Sequence, residues 1–345
     1  IVKAAARHRL INFARYMQPD LTLEPFHVVY YTLLDKFAHG EIKKMIVQMP
    51  PQHGKSEGSS RKLPAFMLGL NPDTKICIGS YAATIARDFN RDVQRIIDTP
   101  KYREIFPKTF LNGSNVVTMA NTYLRNSDVI EMVGHKGSLR VVGRGGALTS
   151  KTVDVMIMDD VYKDYSEGNS PIVRNAAWKW YTTVVKKRLH NKSQELIVFT
   201  RWHEEDLIGK IEKGGEKIID IKSWDSIKNI PDGAWVRINF EALKTGEPNE
   251  IDPREPGAAL WESMHSRAKL ERERALDPIQ FQCLDQGNPG SAEGRLYRNP
   301  FRTYVDKSEW GTFVRSGNYT DVADEGDDFT FSACYDVYKS GNEAW

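Results

Sequence analysis

Gly54, Lys55 and Ser56 stand in the segment MPPQHGKSE, directly after the apolar run Lys44–Met49. A strand there gives way to a helix at a glycine, a lysine and a hydroxyl. In that order the three residue types could hold a polyphosphate. The glycine lets the backbone wrap round phosphate oxygens, the lysine reaches the β and γ phosphates, and the hydroxyl serves Mg²⁺. All three sit at a helix N-terminus whose free N–H groups favour anions. Gln52, His53 and Glu57 complete the candidate loop. It departs from GxxxxGK[ST], because Met49 replaces the first glycine and Pro50 and Pro51 supply no N–H donors. The tripeptide alone also suits a solvated turn, so the assignment depends on acids elsewhere in the chain.

Those acids follow VDVMIM, an apolar run ending in Asp159 and Asp160, as a Walker B strand does. A buried strand would carry them to the carboxyl edge of a sheet, where open α/β folds bind ligands. Asp159 would hold Mg²⁺, and Asp160 would orient or deprotonate an attacking water. Many enzymes of this kind carry Glu at the second position, and Glu167 is a nearby substitute for the base. Without the phosphate loop, the two acids would read as a turn or a helix cap. A further run, ELIVFT, ends at Thr200, a candidate sensor of the γ-phosphate. Arg201 could contact phosphate or pair with the acids after it, and His203 reads as a structural or capping histidine. In the glycine-rich stretch GSLRVVGRGGALTSKTVD, Arg140 or Arg144 could act as an arginine finger, in cis or towards a neighbouring subunit.

Positioning these groups requires a parallel sheet. The chain shows short apolar runs at Lys44–Met49, Lys75–Ser80, Leu139–Val142, Val153–Met158 and Glu195–Thr200, separated by helical spacing at Ala83–Ile97 and Ile172–Leu189. Together they predict an α/β fold: an open doubly wound parallel sheet with helices on both faces. After about residue 220 scattered Gly and Pro suggest a small irregular subdomain, followed by a charged helix over Ser263–Leu276. The expected domains are 1–225 (with an N-terminal helical segment), a lid or linker subdomain at 226–286, an interdomain linker at 287–312, and the beginning of another domain at 313–345. The absence of a starting Met, and an end inside a strand-like pattern, are what a segment of a longer protein would show. Among 345 residues 40% are hydrophobic and 27% charged, with no apolar run near the roughly 20 residues that cross a bilayer. Cys77, Cys283 and Cys334 lack zinc or disulfide spacing and read as reduced thiols. A net charge of +2 leaves any nucleic-acid affinity to local patches.

The succession PFHVVYYTLLDKF, MPPQHGKSE, IGSYAATIARDFNRDVQRII, YREIFP, GRGGALTSKTVDVMIMDD, YKDYSEGNSP, TRWHEEDLIGKI and FQCLDQGNP resembles the large terminase subunit of tailed bacteriophages, over most of the chain. The resemblance implies a P-loop ATPase of the ASCE division that uses ATP and Mg²⁺ to drive double-stranded DNA through a portal, followed by a ribonuclease H-like nuclease domain that uses Mg²⁺ or Mn²⁺ to cut the concatemer. It further implies Lys55 and Ser56 on phosphate and metal, Asp159 on metal, Asp160 as base and Thr200 in the coupling motif. Phe26 and His27 resemble the segment beside the adenine, or else pack at a helix start. Asp321 falls where the nuclease's first metal-binding aspartate belongs. The remaining carboxylates are expected beyond Trp345, with Asp327, Asp328 and Asp336 as turn or surface acids, so this segment is expected to hydrolyse ATP without cleaving DNA. Implied partners are the portal protein and the small terminase subunit. The resemblance also implies a homo-oligomeric ring on the portal from protein monomeric in isolation, and a place in the bacterial host cytoplasm rather than in a membrane or the mature virion.

Duplex translocation calls for sequence-independent phosphate contacts. RNAAWKWYTTVVKKRLHNK offers Arg174, Lys179, Lys186, Lys187, Arg188 and Lys192 among aromatics, or equally an amphipathic helix with a solvated basic face. Two other functions compete. A superfamily 2 helicase or translocase would need a second α/β core, and a non-catalytic nucleotide-binding scaffold could dispense with Lys55, Ser56, Asp159 or Asp160.

Overall fold

In an extended chain successive side chains face opposite ways, so a strand buried on both sides feeds two cores. The apolar runs do this. Met45, Val47, Ile76, Ile78, Val155, Ile157, Leu196 and Val198 belong to one core, while Ile46, Cys77, Met156, Met158 and Ile197 belong to the other. A computed structural model of the chain describes residues 2–116, 122–148, 152–290, 312–321, 331–340 and 343–344. They fall in two compact units, Ile1–Ser291 and Ala292–Trp345.

The first unit is built on a sheet of β1 (Lys44–Gln48), β2 (Lys75–Ser80), β3 (Val129–Glu131), β4 (Ser138–Gly143), β5 (Val153–Asp159), β6 (Leu189–Val198), β7 (Ile218–Asp220) and β8 (Trp235–Asn239). Their order is β3-β4-β2-β5-β6-β1-β8-β7. Every pairing is parallel except β3 with β4. On one face lie Phe13 and Ala14 of the N-terminal helices, Tyr30 and Leu34 of the helix Pro25–Ala38, Phe66 and Phe89; on the other lie Trp180, Tyr181, Leu207 and Ile208. The fold is therefore the open α/β sheet, covered on both faces, that the sequence predicts. β6 stands between β1 and β5, so the phosphate-loop strand and the acid-bearing strand are one strand apart, as in the ASCE arrangement.

Three expectations change. The irregular texture after residue 220 does not end the sheet, because Met45–Gln48 pairs in parallel with Val236–Asn239. The sheet thus runs beyond residue 225, into the segment expected to form a lid. β6 begins at Leu189 rather than Glu195, its first half being the polar, largely exposed HNKS. The helix expected over Ile172–Leu189 runs as α-helix only to Trp180, then widens into a π turn at Tyr181–Val185 and tightens into a 3₁₀ turn at Lys186–Arg188.

The second unit holds β9 (Thr312–Asp321), β10 (Phe331–Ser340) and β11 (Glu343–Ala344), antiparallel in the order β11-β10-β9. Asp321 closes β9 opposite Phe331. Its side chain, like those of Asp327, Asp328 and Asp336, lies outside the described residues.

Candidate active site

Val47 of β1 pairs with Val198 of β6, and Val198 pairs with Asp159 of β5. The two motif strands therefore end level with each other at the carboxyl rim, and the chain leaving β1 turns back as the loop Met49–Gly54. Gln52 and Gly54 both lie in the left-handed region, at φ +59° and +80°, which curls the loop. Gly58 N–H donates to the Gly54 carbonyl (3.3 Å) and closes the first helical turn, so the amides ahead of it point out of the helix N-terminus.

At this rim the residues singled out for chemistry converge. Lys55 Nζ lies 3.2 Å from Asp160 Oδ1. Ser56 Oγ donates to Asp159 Oδ1 at 3.1 Å, and Ser60 Oγ donates to Asp159 Oδ2 at 2.5 Å. The acids have different surroundings. Asp159 is fully buried, whereas the Asp160 side chain is 34% exposed. Burial, reinforced by Asp160 and opposed by Lys55 and the two serines, pushes the Asp159 carboxyl up to about 7. Asp160 has φ +46°, its N–H donates to the Val198 carbonyl (3.1 Å), and its carbonyl accepts from the Tyr81 amide (2.8 Å). A left-handed residue fixed from both sides aims its side chain, and such strain concentrates at working sites.

These residues suit a magnesium-bound nucleotide. Mg²⁺ takes oxygen ligands at about 2.0–2.1 Å in an octahedron, which puts neighbouring ligand oxygens about 2.9 Å apart; the Ser56 hydroxyl and Asp159 Oδ1 are 3.1 Å apart. Burial is the main cause of the raised Asp159 carboxyl, and a divalent ion bound beside it would favour the ionised form. Lys55 and the helix N-terminus would take the phosphates.

The helix Pro25–Ala38 braces the loop from behind. His27 Nδ1 accepts from the Glu24 amide, which fixes the proton on Nε2, and Nε2 donates to the His53 carbonyl at 3.2 Å. Burial lowers the His27 pKa and favours this neutral ring. Tyr30 Oη donates to the Lys55 carbonyl at 2.5 Å, which also accepts from Ser59 Oγ (2.9 Å). Tyr30→Phe is therefore expected to lower stability by only about 0.5–1.5 kcal/mol, because Ser59 still covers that carbonyl; a urea midpoint measures it. Phe26 and His27 are both buried and pack on Trp261. His53, 1% exposed, stacks its ring on His265 at 4.5 Å; burial lowers its pKa to about 4. Glu57 pairs with Lys62 (2.8 Å).

Thr200 lies just beyond β6 at the rim, 6% exposed. Arg201 takes the second of its two expected roles, donating through Nε to Asp206 Oδ2 at 2.7 Å, and His203 Nδ1 accepts from the Glu205 amide. Arg140 is within β4 and 3.7 Å from Glu131. Arg144 is one residue past β4, where its Nη1 donates to the Val161 carbonyl (2.7 Å) and to Glu167 Oε2 (2.9 Å). Burial pushes the Glu167 carboxyl up, but hydrogen bonds from Arg144 and the Lys163 amide outweigh it and hold the pKa below the usual value.

Half of the basic stretch is engaged inside the fold. Buried Arg174 donates to the Gly168 carbonyl, Lys186 pairs with Glu195 (2.7 Å), and Arg188 donates to the Leu148 carbonyl. Lys179, Lys187 and Lys192 are exposed. The sequence reading missed Ser60, Tyr30, Trp261 and His265. Ser60 alone left a signal, one helical turn after Ser56.

The family model for the terminase large subunit, T4likevirus-type, N-terminal, matches residues 46–298, well over half of the chain. Among solved structures, the chain is similar to the large terminase ATPase domain of Thermus phage P74-26 at 15% identity and TM-score 0.46, covering 80% of this chain and 97% of that one. A mutant of that domain gives 15% identity and TM-score 0.49, covering 79% and 96%. The large terminase of the HK97 bacteriophage gives 13% identity and TM-score 0.47; the match covers 97% of this chain but 65% of that one. No curated protein matches the chain. On the family match, the chain belongs to the large terminase subunits of T4likevirus type, in their N-terminal part.

Proposed function

We propose that this chain is the ATP-hydrolysing motor of a viral DNA-packaging machine. It would use ATP with Mg²⁺ to drive double-stranded DNA through the portal into a procapsid, working as a homo-oligomeric ring with the small terminase subunit. The complete protein would also cut the concatemer with a Mg²⁺- or Mn²⁺-dependent nuclease domain containing Asp321. The setting would be the bacterial host cytoplasm, transiently at the portal. Among the described residues no helix is long and apolar enough to cross a membrane.

One observation carries this reading: Lys55 and Ser56 meet Asp160 and Asp159 at one rim of the sheet, although about a hundred residues separate the pairs in sequence. In the mechanism this implies, Lys55 and the first helical amides hold the β and γ phosphates while Ser56 and Asp159 would hold Mg²⁺, which supplies charge neutralisation when bound. Asp160 accepts the proton of a water aligned on the γ-phosphate. Thr200, just beyond the strand between them, would register whether that phosphate is present. Arg144 would be the finger, in cis or in trans, once it leaves Glu167.

The test is ATP turnover by the native chain with DNA and portal present, with and without a chelator. Turnover that requires Mg²⁺ and disappears on chelation is expected. Absence of Mg²⁺-dependent turnover under those conditions would favour a nucleotide-binding scaffold.

A further inference from the structure

Asp159 is held by two serines on successive turns of one helix. Ser56 reaches Oδ1 and Ser60 reaches Oδ2. Ser56 belongs to the phosphate-loop motif, but Ser60 does not. Its hydroxyl faces neither solvent nor the mouth of the site, since the residue is 0% exposed, and Asp159 is equally buried. Four residues along a helix bring two side chains onto one face, so Ser56 and Ser60 grip the carboxylate from the same side. The segment Glu57–Lys62 is a π-helical turn, and Gly58 within it lies so close to Tyr30 that an added Cβ would come 2.6 Å from the ring. Ser60 therefore has little freedom to move away.

We propose that Ser60 is a positioning residue for the metal-holding carboxylate: by occupying Asp159 Oδ2 it fixes the rotation of the carboxyl group and presents Oδ1, beside Ser56 Oγ, to a divalent cation. This rests on the proposed Mg²⁺-nucleotide reading and adds a determinant of cation affinity outside the motif. A buried carboxylate with one free oxygen beside Asp160 can turn about its Cβ–Cγ bond. A hydrogen bond on the distal oxygen prevents this, and loss of such a partner of a metal ligand typically costs about 10–100-fold in metal affinity.

The test measures binding, not only turnover. Mn²⁺ is titrated by electron paramagnetic resonance into the full chain carrying a non-hydrolysable ATP analogue, for the native protein, Ser60→Ala and Ser60→Thr. Nucleotide affinity in EDTA and the melting temperature are measured alongside. Ser60→Ala is expected to weaken Mn²⁺ about 10–100-fold with metal-free nucleotide affinity unchanged, and Ser60→Thr, which keeps the hydroxyl, to restore most of it. Native Mn²⁺ affinity in a folded Ser60→Ala overturns the assignment, as does an equal loss of metal-free nucleotide binding. If Ser60→Ala fails to fold, Ser60→Thr decides, since weak Mn²⁺ binding in that folded variant counts against the hydroxyl. A native chain that binds no Mn²⁺-nucleotide sinks the parent reading instead, which separates the two failures.

Discussion

Asp160→Asn is expected to lower kcat by about 10²–10⁴-fold, the usual worth of a positioned general base, while ATP binding stays intact or tightens. Asn matches Asp in size and tolerates a left-handed backbone, so φ +46° at this position need not change. The variant loses only the charge and the capacity to take a proton. The lost charge faces Lys55 Nζ at 3.2 Å, and its removal frees the ammonium for phosphate. The expected pattern is therefore a fall in kcat without a rise in KM, read from steady-state ATPase assays with binding of a fluorescent nucleotide measured separately. A kcat within tenfold of native would pass the base role to Glu167 or another group. The backbone also explains why Asp stands where many ATPases carry Glu. Left-handed geometry costs roughly 1–2 kcal/mol for ordinary residues and is eased for Asp and Asn, whose short side chains bond locally. Asp160→Glu should therefore fail to behave as a conservative exchange.

What could be read in the sequence follows from which interactions are local. β1, β2 and β5 were legible because strands buried on both faces leave unbroken apolar runs, and the tips of β1 and β5 led into a phosphate-loop motif and a pair of acids. β8 was not legible, because Trp235–Asn239 is short and lies among Gly- and Pro-containing turns, and only its pairing with β1 makes it part of the sheet. The start of β6 was hidden for the opposite reason, its polar residues giving no apolar signal. The basic stretch shows how charge misleads. Lys186 and Arg188 read as solvated cations until the fold brings Glu195 and the Leu148 carbonyl to them. The supports of the phosphate loop were the least legible part. Nothing at Trp261 or His265 announces contact with residues some two hundred positions earlier, yet their rings pack on His27 and His53.

Asp206→Ala is expected to lower the unfolding free energy by about 3–5 kcal/mol, the cost of leaving a buried charge without its partner. Asp206 is wholly buried and accepts three hydrogen bonds, from Arg201 Nε (2.7 Å), the Trp202 amide (3.3 Å) and the Gly209 amide (3.1 Å). It thereby caps the helix Leu207–Lys213 and ties down Arg201 and Trp202 in the chain beyond β6. Arg201 is itself 4% exposed, so its guanidinium would remain in the interior without a counter-charge. Helix position 209 has no room for adjustment either, because a Cβ there would meet the Glu204 carbonyl oxygen at 1.7 Å. A guanidinium-chloride midpoint measures the loss. Replacing both partners, as in Arg201→Met with Asp206→Leu, should recover part of it, since two apolar groups leave no uncompensated charge. The alternative, in which Arg201 serves the nucleotide, predicts a different pattern: near-native stability for Asp206→Ala with an altered KM for ATP. Because Arg201 immediately follows Thr200, these two measurements show whether the rim beside the γ-phosphate position is a rigid support or a contact that changes with the nucleotide.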